Sequence, residues 1–176
     1  MPAGATYDCI ATTTLGSAQA TVTFSSISGD YTDLLITGQI KGTQNAALLL
    51  RVGNGSVDTG SNYSVTTFAA RYNQGSVDVA SERYSSITSI YASGSTWYSG
   101  TNFGTLQMNL ANYSNTTTNK TIITRLDTVE NANYCGPSAV VGLWRSTSAI
   151  NIVTFSNNGG NFDVGSTFSL YGIKAA

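Results

Sequence analysis

Histidine is absent from this 176-residue sequence, and charge of either sign is scarce, with eight Lys plus Arg against nine Asp plus Glu. Without histidine the chain can build no Ser-His-Asp triad, no Cys-His pair and no imidazole ligand for zinc or haem. A formal net charge of −1 argues against a nucleic-acid partner, whose affinity comes largely from neutralised phosphates. No run approaches the ~20 apolar residues of a membrane-spanning helix, so no membrane insertion is expected. The opening Met1-Pro2-Ala3-Gly4-Ala5-Thr6 has neither the basic nor the apolar region of a secretory signal.

What is present is polar but uncharged. The chain carries 25 Thr, 22 Ser and 15 Asn beside 18 Gly, while charged residues make up 10%, against roughly 25% in an ordinary soluble domain. Hydrophobic residues still reach 41%, too many for a disordered polar tract. A single domain over 1–176 is expected, large enough to bury a core without help from a metal or a disulfide.

The apolar residues recur at every second position. Leu106, Met108 and Leu110 alternate with Thr105, Gln107 and Asn109, the pattern of a strand with one buried face. Similar runs predict strands at Ala20 to Phe24, Asp33 to Ile40, Ala46 to Val52, Thr121 to Leu126, Ala139 to Trp144, Ile150 to Phe155 and Thr167 to Ile173. Weaker runs lie at Cys9 to Leu15, Val65 to Ala69 and Ser85 to Tyr91. Gly and Asn clusters such as Asn54-Gly55-Ser56 and Asn157 to Asn161 separate them, supplying the positive φ that tight turns require. No segment shows ten residues of helical periodicity. The fold expected is all-β, a jelly-roll-like two-sheet β-sandwich of eight strands with additional edge strands. Gly55-Ser56-Val57-Asp58 recurs as Gly75-Ser76-Val77-Asp78, which reads as two similar hairpin loops. The stretch from Gly53 to Ser99 is the least regular. Long loops carrying a binding surface at one end of the sandwich are expected there.

Few residues offer chemistry. Asp58 and Asp78 could form a carboxylate pair of glycosidase type, which requires ~5–9.5 Å between carboxyl groups. Loop aspartates more often turn the backbone, and Glu82 and Glu130 invite the same reading. Asn157 to Asp163 holds oxygen ligands and glycines but lacks the spacing of a calcium loop, so a hairpin tip between Phe155 and Phe168 is expected instead. Cys9 and Cys135 are expected as two reduced, packed thiols. The N-x-S/T sequons at Asn54, Asn62, Asn112, Asn115 and Asn119 follow from composition. Tyr63, Tyr72, Tyr84, Tyr91, Trp97 and Tyr98 cluster in the irregular segment, where they either close the sandwich or form a protein- or sugar-facing patch. No catalytic residue, cofactor or metal is expected.

The segments ATTTLGSAQATVTFSSISGDYTDLLITG (Ala11 to Gly38), NYSNTTTNKTIITR (Asn112 to Arg125), GLWRSTSAINIVTFS (Gly142 to Ser156) and GSTFSLYGIKAA (Gly165 to Ala176) resemble a family of small β-rich proteins of tailed bacteriophages, cyanophages and marine phages in particular. The resemblance implies a virion component without catalytic residues. It leads to the expectation of a capsid decoration or cement protein on the head, a homotrimer binding the major capsid protein, found in the virion after assembly in the host cytoplasm. The resembling region starts close to Met1, which favours the head over a fibre. A tail-fibre tip recognising host surface glycans is the alternative, and a glycan-cleaving enzyme acting through Asp58 or Asp78 is a third reading.

Overall fold

The computed structural model describes residues 6–44, 46–73, 75–95, 102–131 and 134–174, apart from the side chains of residues 73, 94–95, 128–131 and 134–135. Thirteen strands and no helix occur among the described residues. In chain order they are β1 (Tyr7–Thr14), β2 (Thr21–Phe24), β3 (Asp33–Ile40), β4 (Leu48–Asn54), β5 (Ser56–Val57), β6 (Tyr63–Asn73) and β7 (Ser76–Ile87). They continue with β8 (Ile90–Ser95), β9 (Gly104–Leu110), β10 (Lys120–Asn131), β11 (Tyr134–Trp144), β12 (Ile152–Asn157) and β13 (Thr167–Ile173). One sheet has eight strands in the order β1-β13-β3-β9-β10-β11-β6-β7. The other runs β2-β12-β4-β5, with β8 also paired to β4.

Four antiparallel pairs nest inside one another: β1 with β13, β2 with β12, β3 with β9, and β4 with β8. A long hairpin folded over into two sheets in this way is a jelly roll, as the strand pattern predicts. Two further hairpins, β6–β7 and β10–β11, are inserted between its members and extend the larger sheet beyond β9. These are the additional edge strands.

Alternation places the core. On β9 the side chains of Leu106, Met108 and Leu110 are buried while Thr105, Gln107 and Asn109 face outward. Val22 and Phe24 of β2 and Val153 and Phe155 of β12 answer them from the opposite sheet. Each such side chain contributes about 1.5–3 kcal/mol on full burial. Phe162 and Phe168 meet edge-on at 5.1 Å, so the Asn157 to Asp163 tip is anchored in this core by its one aromatic residue. Outside the core, hydroxyls pair across strands, as in Thr14 with Thr167 and Thr23 with Thr154, both at 3.0 Å. Such pairs stabilise a sheet by roughly 0.2–1 kcal/mol each.

The irregular stretch from Gly53 to Ser99 corrects the expectation of long loops. Its described residues form mainly β5, the long β6–β7 hairpin and β8. Residues Ser76 to Ile87 escape periodicity because β7 is an edge strand with little burial on either side. The run Ser85 to Tyr91 straddles the turn between β7 and β8 and is not one strand. The repeated Gly-Ser-Val-Asp does mark two hairpin turns, with Gly55 at φ 72° and Gly75 at φ 93°.

Cys9 is free and exposed on edge strand β1, opposite Tyr171, which corrects the expectation that it is packed. Burial fails there because Cys9 follows Tyr7 on the outer side of the sheet. Cys135 lies on β11, five strand spacings away in the same sheet, roughly 24 Å at ~4.8 Å each. A disulfide needs Cα atoms within about 7 Å. The intact mass is therefore expected to be the same with and without reductant, with Cys9 labelled by a thiol reagent on the native protein. A second expectation concerns β8, which lies beneath the large sheet. A Cβ on Gly142 would sit 2.5 Å from Ile90 Cδ1 and 2.9 Å from its Cγ2. Ile90 is fully buried and, being β-branched, is restricted at χ1, so its Cγ2 has little room to give way. Gly142→Ala should cost about 1–3 kcal/mol, read as a lower urea midpoint; an unchanged midpoint would show that β8 does not pack against this glycine.

Candidate interaction face

The acidic residues singled out by the sequence are held apart and are engaged. Asp58 follows β5, and its carboxylate accepts hydrogen bonds from Trp144 Nε1 at 2.7 Å, Asn62 Nδ2 at 2.9 Å and the Gly60 N–H at 2.8 Å. Desolvation pushes the Asp58 carboxyl up, and the three donors outweigh it, leaving it below the ordinary 3.8. Asp78 lies on β7 in an ion pair with Arg71 at 2.9 Å. Arg71 is eight residues along β6 from Tyr63, whose hydroxyl donates to the Asp58 carbonyl. At ~3.3 Å per residue the two aspartates are roughly 26 Å apart, far beyond the separation that glycoside hydrolysis requires. Glu82 is also on β7, beside Tyr84. The side chain of Glu130 lies outside the described ones.

Asp163 accepts from the Val164 N–H at 2.8 Å and pairs with Lys41 at 3.0 Å, so both of its carboxylate oxygens are engaged within the protein. Asn54, Asn62 and Asn115 hydrogen-bond within their own turns or to Ala149, Asn112 adopts φ 51°, and Asn119 is exposed. The tyrosines do not form one patch, because successive strand positions face opposite ways. Tyr63 is fully buried, its hydroxyl bonded to the Val52 and Asp58 carbonyls and its pKa pushed up to about 12 by burial. Tyr84 packs on Tyr91 at 5.7 Å along the inner side, whereas Tyr72 is exposed on the outer side. Trp97 and Tyr98 lie outside the described residues.

The outward side of the large sheet is where exposed side chains concentrate. Strands β6, β7, β10 and β11 have eleven or twelve residues against seven or eight in β1, β3, β9 and β13. By register they overhang the sandwich at one end by three to four residues, roughly 10–13 Å. Register places Val77 beside Tyr72, Val79 beside Ala70, Ala139 beside Phe68, and Ile123 beside Val141, all on the outer face. Val77 is 71% exposed, Val79 59% and Phe68 54%. Monomers seldom display contiguous apolar surface of this kind without a partner for it. Towards β9, β3 and β13 the same face turns polar, with Gln107, Asn109, Thr37, Gln39 and Ser169.

A groove of about 420 Å³ runs along the seam between the two halves. Phe68, Pro137 and Ala139 form its apolar wall, and Thr105, Gln107, Arg125 and Asp127 form the other. None of these seven residues is among the sequence-derived candidates. The signal that could have found part of this face is the pair of doublets Ile122-Ile123 and Val140-Val141. Two successive apolar residues in a strand cannot both face one core, so one of each pair has to be outside, and the structure puts Ile123 and Val141 there.

Asp58 closes one end of the sandwich, and its contribution follows pH in a defined sense. Its folded pKa is depressed, so its stabilisation is present above the ordinary 3.8 and is lost as pH falls through the lower folded value. Asp58→Asn weakens the acceptor for the Trp144 indole, and is expected to cost about 1–3 kcal/mol near neutral pH. The gap to the parent protein should narrow below pH 3.8. Urea titrations monitored by tryptophan fluorescence at several pH values measure both; a gap independent of pH would exclude the carboxylate as its source.

No family model matches the sequence, and no curated protein matches it. Among solved structures, a similar chain is the β-fructofuranosidase from Schwanniomyces occidentalis complexed with fructosyl-erythritol, at 8% identity and a TM-score of 0.29. The likeness covers 98% of this chain and 35% of that one, so the present chain spans about a third of the enzyme's length. At that TM-score it carries no argument about fold or function.

Proposed function

We propose that the protein is a non-catalytic structural component of a phage virion, a capsid decoration protein that docks on the major capsid protein through the overhanging β6–β7 hairpin. The observation that carries this reading is the combination on one hairpin of an open edge and exposed aliphatic side chains. Among the described residues β7 ends the eight-stranded sheet, so along its twelve-residue length about every second residue presents a backbone donor and acceptor on the open side. Edges of this length are templates for strand addition by another chain. Val77 and Val79 stand beside that edge, ready to be covered. The segment from Ala11 to Gly38 and the described part of that from Gly165 to Ala176, which resemble phage proteins, lie in the jelly roll itself, and none of the resembling segments reaches the β6–β7 hairpin, leaving it for attachment. A trimer matches the local symmetry of such particles.

The acidic residues support a role without catalysis. Asp58 is tied to Trp144, and Asp78 to Arg71, at opposite ends of β6. Neither carboxylate is poised to deliver or receive a proton beside the other.

Virions carrying this chain are expected to retain it on purified tailless heads. A Val77→Ser, Val79→Ser double variant, exposed at both positions and therefore folded, should lose most of that occupancy in a head co-sedimentation assay. Recovery of the protein with tails and not heads would overturn the reading.

A further inference from the structure

We infer that the seam groove is a binding site for a neutral saccharide, with Phe68 as its stacking platform and Arg125, Gln107 and Asp127 as its hydroxyl partners. The inference does not depend on where in a virion the protein sits. A hexose ring has an apolar face of C–H groups bordered by hydroxyls, each of which both donates and accepts. The groove offers the complement of both. On one side the Phe68 ring is 54% exposed and stands between the small side chains of Ala139 and Ser81, so nothing bulky in register with it covers its face. On the other side, Arg125 is opposite both Ala139 and Gln107, and Asp127 follows on the same face.

Most of the side-chain hydrogen-bonding capacity of this wall is unspent among the described residues. The side chains of Arg125 and Gln107 make no hydrogen bond or ion pair among the described residues. Asp127 uses one oxygen, Oδ1, to accept the Thr105 N–H at 2.6 Å, and its Oδ2 has no partner among them. Arg125 brings donors only, Asp127 Oδ2 an acceptor only, and Gln107 both, which is the mixed set that vicinal hydroxyls require. One positive and one negative charge cancel within the groove, which matches an uncharged ligand and not an acidic one. All four side chains project from paired strands, so the backbone of the site is in place before the ligand arrives, and the ordering cost falls on the side chains of Arg125 and Gln107. A volume near 420 Å³ accommodates one or two sugar rings, within the ~300–1,000 Å³ of small-ligand sites. None of the tyrosines at 63, 84 or 91 takes part.

The test uses the full chain on an array of neutral oligosaccharides covering glucose, mannose, galactose and N-acetylhexosamine linkages. Hits are followed by affinity electrophoresis in dextran, galactomannan and mixed-linkage β-glucan, with alginate as the anionic comparison. Binding to at least one neutral glycan is expected, lost in Phe68→Ala and in Arg125→Ala, both exposed positions, and unchanged in Val77→Ser. Thermal melting of each variant confirms that it is folded. No binding on the neutral array, retardation by alginate alone, or neutral binding that survives both groove substitutions would each overturn the inference. Because Val77 belongs to the hairpin surface proposed for head attachment and not to the groove, the two proposals fail independently.

Discussion

The pairing of Tyr7–Thr14 with Thr167–Ile173 is the constraint on which the rest of the structure depends. Once the first strand lies against the last, the second can meet the twelfth and the third the ninth, and each closure brings the next pair within reach. Almost all of the stabilising contacts are therefore distant in sequence, which raises the entropic cost of early folding and slows it. The chain offsets that cost with local certainty: tight Gly turns at 55, 75 and 159, and strands rich in residues that suit a pleated surface.

Scarcity of charge shapes how the ends of the sandwich are sealed. Lys120 is buried, and its ammonium donates to the carbonyls of Thr118 at 2.7 Å and Thr147 at 3.2 Å, while desolvation pulls its pKa down. Arg145 donates to the Ser61 carbonyl and to the Ser64 hydroxyl, and Asp58 collects the Trp144 indole. Each ion is spent on backbone or on a neutral side chain, and three salt bridges are described on the surface. Exposed ion pairs contribute little individually. The ions that matter here pin loops to strands.

The strands of the jelly roll could be read in advance wherever one face is buried. Asp33–Ile40 and Thr167–Ile173 have the bounds that alternation predicts, since Leu34, Ile36, Phe168 and Leu170 face the core. The inserted hairpins could not be read as far, because alternation fades where Arg71, Asp78 and Glu82 have water on at least one side. The Asp58–Trp144 bond joins residues 86 apart in sequence, and no local pattern announces it. The groove was hidden for the same reason. Phe68, Arg125 and Gln107 sit on three different strands, and only the register of β6, β11, β10 and β9 brings them together.

The β1–β13 ladder also decides how the molecule answers mechanical load. Tyr7 lies opposite Ile173, so the chain enters and leaves the sheet at the same end of the same ladder. Tension applied through these two ends opens the ladder like a zipper, one hydrogen-bonded pair at a time, beginning at Tyr7. Load entering through the β6–β7 hairpin meets a different geometry, in which a strand paired along its whole length has to slide and many bonds resist together. A protein anchored by that hairpin would hold its grip while its termini yield.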